Sequence, residues 1–121
     1  MSTVHDNQRA NRYELHDDGH LIGIADYALS GDAIAFTHTE VPPEFGGRGY
    51  ARELVTEALT DAARRGLTVE PRCSYVAKVI ADDAARFLQL VKPEDRERYG
   101  LPSDHQSTEP QPVTRSQGNA S

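Results

Sequence analysis

Two titratable residues lie just before a glycine-rich loop. His38 and Glu40 alternate at the end of the segment AIAFTHTEV, and the loop EFGGRGY follows almost at once. Because alternate residues of a strand face one way, both side chains are expected on the face that carries Ile34 and Phe36. A histidine and a carboxylate beside a ligand site are candidates for proton transfer. The alternative is that this strand end leaves the core, so that both side chains are simply solvated.

The loop has the composition of an anion-binding site. Gly46, Gly47 and Gly49 let the backbone curl with several amides pointing inward, and Arg48 adds a positive charge. The helix that follows has no Ser, Thr, Asp or Asn at its start, so its first amides are left for solvent or for a ligand. A phosphate group is the expected ligand. The alternative is a flexible turn in which the glycines serve only the backbone.

Two common nucleotide-binding patterns do not fit this loop. A nucleotide P-loop needs Lys followed by Ser or Thr after its last glycine, where this chain has Tyr50 and Ala51. A dinucleotide fingerprint that starts at Gly47 would need Gly or Ala at Arg52. The loop therefore predicts a phosphate ligand of another kind.

Cys73 is a candidate nucleophile. It follows Pro71 and stands at the start of a second helical pattern, where amides, the helix dipole and a neighbouring cation such as Arg72 lower the pKa of a thiol. Such a thiol can accept an acyl group in a two-step reaction. The alternative is a small buried residue in a strand-to-helix turn.

No metal site is predicted. A single cysteine excludes an internal disulfide and a four-ligand zinc site of the finger type. The remaining histidines lie in polar arms or turns and are expected to have no specific role: His5, His16, His20 and His105.

The elements that must position these residues predict an α/β (α+β) domain over residues 12–100. Three strand-like segments with Asp-Gly and Ser-Gly turns predict an antiparallel three-strand meander. After the loop come a helix with an apolar stripe, a short strand LTVEP and a helical pattern from Ser74 that Asp82 and Asp83 are expected to split. Residues 1–11 are predicted to be a flexible arm, and residues 101–121 a disordered tail.

Composition limits the possible partners. The 121 residues carry a net charge of −6, which argues against binding to nucleic acid or to an anionic membrane. No apolar run is long enough to span a bilayer, and the polar N-terminus lacks a secretory signal. A cytoplasmic protein is expected, and the patterns do not decide between a monomer and a homodimer.

Residues 39–59 resemble the acyl-coenzyme A loop of the GNAT acetyltransferases, with Gly49 and Ala51 at its last two fixed positions. Gly46 stands where Gln or Arg is usual, and Arg48 supplies a charge nearby. The resemblance implies that Val41 binds the pantetheine arm of acetyl-CoA through its backbone. It also implies that the coenzyme A pyrophosphate is held by the amides of Gly46, Gly47, Arg48, Gly49, Tyr50 and Ala51.

A small single-domain subgroup of that superfamily is more similar still. It carries a His-Thr-Glu-Val strand, this loop and a Pro-x-Cys-x-Tyr/Phe-Val segment, which match residues 38–41 and 71–76 here. The match extends from residue 12 to about residue 91 and implies a GNAT-like mixed sheet. It departs at Val79, where the subgroup often has an aromatic residue, and at residues 82–84, where it often has His-Pro-Glu.

The resemblance implies an acetyl-CoA-dependent acyltransferase that acts on an amine, either a small molecule or a protein. Direct transfer requires a base for the amine, for which Glu40 is the candidate, with His38 orienting or replacing it. Tyr75 is the candidate proton donor to the sulfur, and Cys73 the candidate carrier in a two-step route. Two alternatives are a coenzyme A-binding module without turnover and a partner-binding domain without a ligand.

Overall fold

The computed structural model describes residues 1–103. Five strands form one sheet in the order β1-β2-β3-β4-β5. The strands are β1 (Ser2–Asn7), β2 (Arg12–Asp17), β3 (His20–Ser30), β4 (Ala33–Glu40) and β5 (Thr68–Pro71). The helices are α1 (Tyr50–Arg64), α2 (Ser74–Asp82) and α3 (Ala84–Phe87), with 3-10 turns at Pro43–Phe45, Leu88–Leu90, Pro93–Asp95 and Glu97–Tyr99. Strands β1 to β4 pair antiparallel, and β4 pairs parallel with β5. The predicted mixed sheet is confirmed.

The N-terminal segment differs from its prediction. The flexible arm expected over residues 1–11 is wrong, because β1 pairs with β2 along its whole length and makes the meander four strands long. Val4 packs against the core, and the Asp6 carboxylate accepts a hydrogen bond of 2.6 Å from the Tyr27 hydroxyl. This strand was not predicted from the sequence because most of its residues are polar and only one of its two faces packs against the rest of the protein.

Local turn chemistry fixes the hairpins. Asp18 and Gly19 both have positive φ, 53° and 79°, as a two-residue turn between twisted antiparallel strands requires. The Asp-Gly signal therefore predicted the β2–β3 connection correctly. Gly31, with φ of 60°, occupies the β3–β4 turn.

The core lies on one face of the sheet, under α1 and α2. The apolar stripe of α1 buries Leu54, Val55, Ala58, Leu59 and Ala62, as its helical spacing predicted. On the sheet side these residues meet an aromatic cluster in which the ring centroids are 5.5 to 6.4 Å apart: Tyr13, Tyr27 and Phe36. The burial of this stripe holds α1 across the sheet.

The opposite, open face of the sheet carries polar side chains. Its buried carboxylate, Glu14, is held by His16, Asn7 and Arg12. The hydrogen bond with His16 lowers the pKa of Glu14, and together with Asn7 and Arg12 it outweighs burial and brings the pKa to about 2.

The second helical pattern is divided where the sequence predicted. Asp83, in a non-helical conformation, separates α2 from α3 as expected. Leu101 is buried in the core, so the folded unit extends beyond the boundary predicted at residue 100. The remainder of the predicted disordered tail, residues 104–121, lies outside the described residues.

Candidate active site

The glycine loop opens α1 without a side-chain cap. Gly49 is the N-cap residue in the left-handed region, with φ of 82°, and Gly47 also has a positive φ, 77°. The Gly46 amide donates to the Pro43 carbonyl at 3.0 Å. Within residues 1–103, the amides of residues 47–52 have no acceptor in the protein. Free amides at the positive end of a fifteen-residue helix form an anion site.

These amides open onto a groove of about 530 Å³. It is lined by Thr39, Val41, Phe45, Gly46, Gly47, Gly49, Tyr50, Ala51, Arg52 and Tyr75. The groove begins where two strands part, because β5 ends at Pro71, opposite Phe36, whereas β4 continues to Glu40. Among residues 1–103, no strand pairs with the edge of β4 beyond Phe36 on this side, and an extended ligand can pair with it.

Cys73 and Tyr75 lie at the other wall of this gap. The Cys73 amide donates to the Phe36 carbonyl at 2.9 Å, and its thiol lies 3.4 Å from the Thr39 hydroxyl. Cys73 is also the N-cap residue of α2. Tyr75 lines the groove, whereas Cys73 is not among its lining residues and contacts Thr39, which is.

His38 and Glu40 lie on the open face of the sheet. The prediction that they share a face with Ile34 and Phe36 is wrong, because a bulge in β4 adds Thr37 between the pairs Tyr27–Phe36 and Asp26–His38. One extra residue reverses the facing of every residue that follows. Thr39 therefore faces the helices.

The two side chains still form a pair. The His38 ring nitrogen Nε2 lies 3.2 Å from Glu40 Oε1, and the side chains are 55% and 63% exposed. Asp26 lies opposite His38 on β3. Because the sheet is open between β4 and β5, this acidic end of the open face adjoins the gap that the groove enters.

Arg48 does not line the groove. Its guanidinium carbon lies 5.8 Å from the centre of the Phe45 ring, so its charge is at the rim. The groove instead contains Arg52, whose guanidinium donates to Asp82 at 2.7 Å. Its place in the groove depends on how α1 packs on the sheet, which no pattern in the sequence specifies.

Tyr50 binds the turn between β2 and β3. Its hydroxyl donates to Asp17 at 2.7 Å, and this hydrogen bond, followed by burial, raises the pKa of Tyr50 above its ordinary value. Phe45 packs edge-on against the Tyr50 ring with centroids 6.3 Å apart. These contacts fix the start of α1 relative to the sheet, which keeps the free amides directed at the groove.

A second depression, of about 370 Å³, lies beside α2 and carries three cations, Arg72, Lys78 and Arg98. Each of them is paired with a carboxylate, at 3.0 Å, 3.1 Å and 3.4 Å respectively. Lys78 shares its carboxylate, Asp82, with Arg52. The groove at α1 differs from this depression in offering free backbone amides at a helix N-terminus, which makes it the stronger candidate for an anion site. Within residues 1–103, no helix combines the length and apolar character that crossing a bilayer requires.

Comparison with known proteins identifies a family for this chain. The family model described as GCN5-related N-acetyl-transferase matches residues 12–89, which is more than half of the chain. Among solved structures, the ribosomal-protein-S18-alanine N-acetyltransferase from Escherichia coli is similar at 19% sequence identity and a TM-score of 0.49. That match covers 61% of this chain and 50% of the other, so it spans about half the length of that enzyme. No curated protein matches the chain.

Proposed function

The chain belongs to the GCN5-related N-acetyltransferase family, whose chemistry is acyl transfer, and we propose that it moves an acetyl group from acetyl-CoA to an amine. One observation carries this proposal: the free amides of residues 47–52 open onto a groove that leads to the parted strands β4 and β5. That combination suits a ligand with a diphosphate at one end and an extended amide-containing arm. Acetyl-CoA has both parts.

The cofactor-binding residues follow from this fit. Amides of Gly47, Arg48, Gly49, Tyr50 and Ala51 would hold the pyrophosphate, since a helix N-terminus with free amides favours a phosphate dianion. The Val41 backbone, just beyond the end of β4, would pair with the pantetheine arm on the side where β5 has ended. Bound acetyl-CoA supplies an activated thioester.

The acceptor would approach from the open face. Glu40 and His38 lie there, exposed and 3.2 Å apart, beside the gap between β4 and β5. An ionised carboxylate can take the proton of an incoming ammonium group, and the imidazole holds that carboxylate in place. Asp26, opposite His38, adds a further negative charge, so the acceptor class that fits is a cationic amine.

Two residues on the helix side would serve the sulfur end. Tyr75 lines the groove and holds a hydroxyl proton for the departing sulfur. Cys73 lies behind Thr39 at the same gap, in a position to carry the acetyl group in a two-step route. The direct route through Glu40 is the one we propose, and the two-step route through Cys73 is its alternative.

The alternative, a coenzyme A-binding module without turnover, is not favoured by the family match. The third possibility, a partner-binding domain without a ligand, gives no reason for free amides above a groove. A cytoplasmic location and a small-molecule or protein acceptor remain part of the proposal.

Release of free coenzyme A, measured with lysine side-chain amines, peptide N-termini and polyamines as acceptors, tests this function. We expect turnover with at least one cationic amine, and Glu40→Gln should lower kcat/KM by about 10² or more, as loss of a general base does. The matched control is Glu44→Gln, an exposed carboxylate in the loop, which should stay near the parent value. Tight acetyl-CoA binding with no transfer to any amine would support the module instead.

A further inference from the structure

Three residues on the open face, His5, Glu14 and His16, converge on one point of strands β1 and β2. Strand pairing sets His5 opposite Glu14, and His16 follows on the same face of β2. Glu14 Oε1 lies 3.0 Å from His16 Nε2 and 3.4 Å from His5 Nε2. The expectation that His5 and His16 lie in polar arms or turns is wrong, because both lie in paired strands.

These separations match the requirements of a small cation. Zn²⁺ bonds to imidazole nitrogen and carboxylate oxygen at about 2.0–2.2 Å, which places the ligand atoms of a tetrahedral site about 3.3–3.5 Å apart. One potential ligand atom from each residue lies within 4.8 Å of the others. The His5 side chain is 56% exposed on the edge strand, so its ring can rotate to bring its nitrogen to bonding distance from a metal ion held by Glu14 and His16.

The carboxylate is already oriented by its own partners. Glu14 Oε2 accepts hydrogen bonds from Arg12 Nε at 2.7 Å and Asn7 Nδ2 at 2.9 Å. Its other oxygen, Oε1, is thereby directed at the two imidazoles, and the side chain is only 7% exposed. Outer partners of this kind fix a ligand's orientation in metal sites.

We propose that His5, Glu14 and His16 form a site for a divalent transition-metal ion of the zinc class, with a fourth position open to solvent. The donor set of two imidazoles and one carboxylate suits Zn²⁺ and is unlike the all-oxygen sets of Mg²⁺ or Ca²⁺. Bound metal would fasten the edge strand β1 to β2. The acetyl-CoA groove lies on the other face, whereas Glu40 is on the same face as the cluster, because Glu14 pairs with Ile24 and Ile24 pairs with Glu40.

Zn²⁺ titrated into the metal-stripped full chain at neutral pH tests the site by calorimetry. We expect saturable binding of one ion per chain and a higher melting temperature with the ion. His16→Ala and His5→Ala should each weaken binding at least about tenfold, since each removes one of three ligands. His20→Ala, an exposed histidine at the start of β3, is the matched control and should bind like the parent.

A second readout separates lost ligation from lost folding. Co²⁺ in place of Zn²⁺ should give the intense visible absorption of a four-coordinate ion, and His16→Ala should abolish it while its far-UV spectrum without metal stays that of the parent. Absence of saturable binding by the parent would overturn the proposal. So would equal binding by His16→Ala, and in either case the cluster is an ion-pair network only.

Discussion

Cys73 lies where its ionised form is favoured. Burial raises the pKa of its thiol, but the hydrogen bond with Thr39 and the backbone amides of Val76 and Tyr75 outweigh burial. The pKa is therefore lower than that of an ordinary cysteine, because each of these donors interacts more strongly with a thiolate than with a thiol. A reactive thiol beside the groove fits either route of transfer.

The rate of alkylation by iodoacetamide as a function of pH checks this environment. We expect the midpoint for Cys73 to fall below that of the unfolded chain in denaturant. Thr39→Val keeps the shape but removes the hydroxyl, so the midpoint should rise. Thr37→Val, on the bulge and facing solvent, should leave it unchanged. A midpoint at or above that of the unfolded chain would contradict the lowered pKa.

At the scale of elements, Gly23 determines how closely β3, β4 and α1 approach. A Cβ atom at Gly23 would lie 2.9 Å from Val41 Cγ2, 3.3 Å from the Glu40 carbonyl oxygen and 3.4 Å from Leu54 Cδ2. Val41 is β-branched and backed by α1, so it cannot rotate away freely. The absence of a side chain at Gly23 therefore lets the end of β4 and Val41 lie close to β3, at the wall of the groove.

Gly23→Ala should displace Val41 and so weaken acetyl-CoA binding, as well as lower the free energy of unfolding by about 1–3 kcal/mol. Gly31→Ala is the control, because its positive φ of 60° makes alanine cost about 1 kcal/mol at the other end of β4. Denaturant melts and calorimetric titration of both variants provide the comparison. Equal affinity in both variants would show that Val41 does not take part in binding.

The sequence predicted those elements whose signals are local. The Asp18–Gly19 turn and the apolar stripe of α1 are each specified within a few residues, and both appear as expected. Strand β1 was not predicted because its residues are mostly polar, and its pairing with β2 is a tertiary contact that the local sequence does not indicate. The bulge at Thr37 was missed for the same reason, and it misplaced Glu40 and His38.

For the site, residue type was easier to predict than placement. The free amides of the glycine loop follow from a missing cap, which is visible in the sequence. The groove positions of Thr39 and Arg52 depend on strand facing and on the angle of α1, which the sequence does not specify. The cluster around Glu14 depends on the register between β1 and β2, so it too required the structure.

At the scale of the whole molecule, a polar network ties the end of α1 to the meander. The Tyr13 hydroxyl donates to Asp61 at 2.5 Å, and Arg65 reaches both Asp61 and Asp6, at 3.3 Å and 3.2 Å. Burial raises the pKa of Asp61, but the hydrogen bonds from Tyr13 and Arg65, with the nearby Arg64, lower it below its ordinary value overall. The ionised carboxylate is therefore stabilised by folding.

The pKa of Asp61 is lower in the folded chain than in the unfolded chain. Its contribution to the free energy of unfolding is therefore present above about pH 4 and is lost as pH falls through the folded pKa. Asp61→Asn should lower the free energy of unfolding by about 1–3 kcal/mol at neutral pH and flatten its decline in acid. Asp32→Asn is the control, since within the described residues its carboxylate makes no hydrogen bond. Denaturant unfolding across the acid range gives both curves, and parallel curves for Asp61→Asn and the parent would refute the assignment.

Titration calorimetry of the full chain with acetyl-CoA, with ATP and NAD as comparison ligands, tests the binding of acetyl-CoA at the glycine loop. We expect selective binding that Gly47→Ala weakens about ten- to a hundredfold, because alanine at a φ of 77° redirects amides that bind a charged phosphate. Gly66→Ala carries the same strain, at a φ of 72° beyond the other end of α1, and should bind like the parent. No binding of acetyl-CoA, or equal affinity in both variants, would contradict the loop as its binding site.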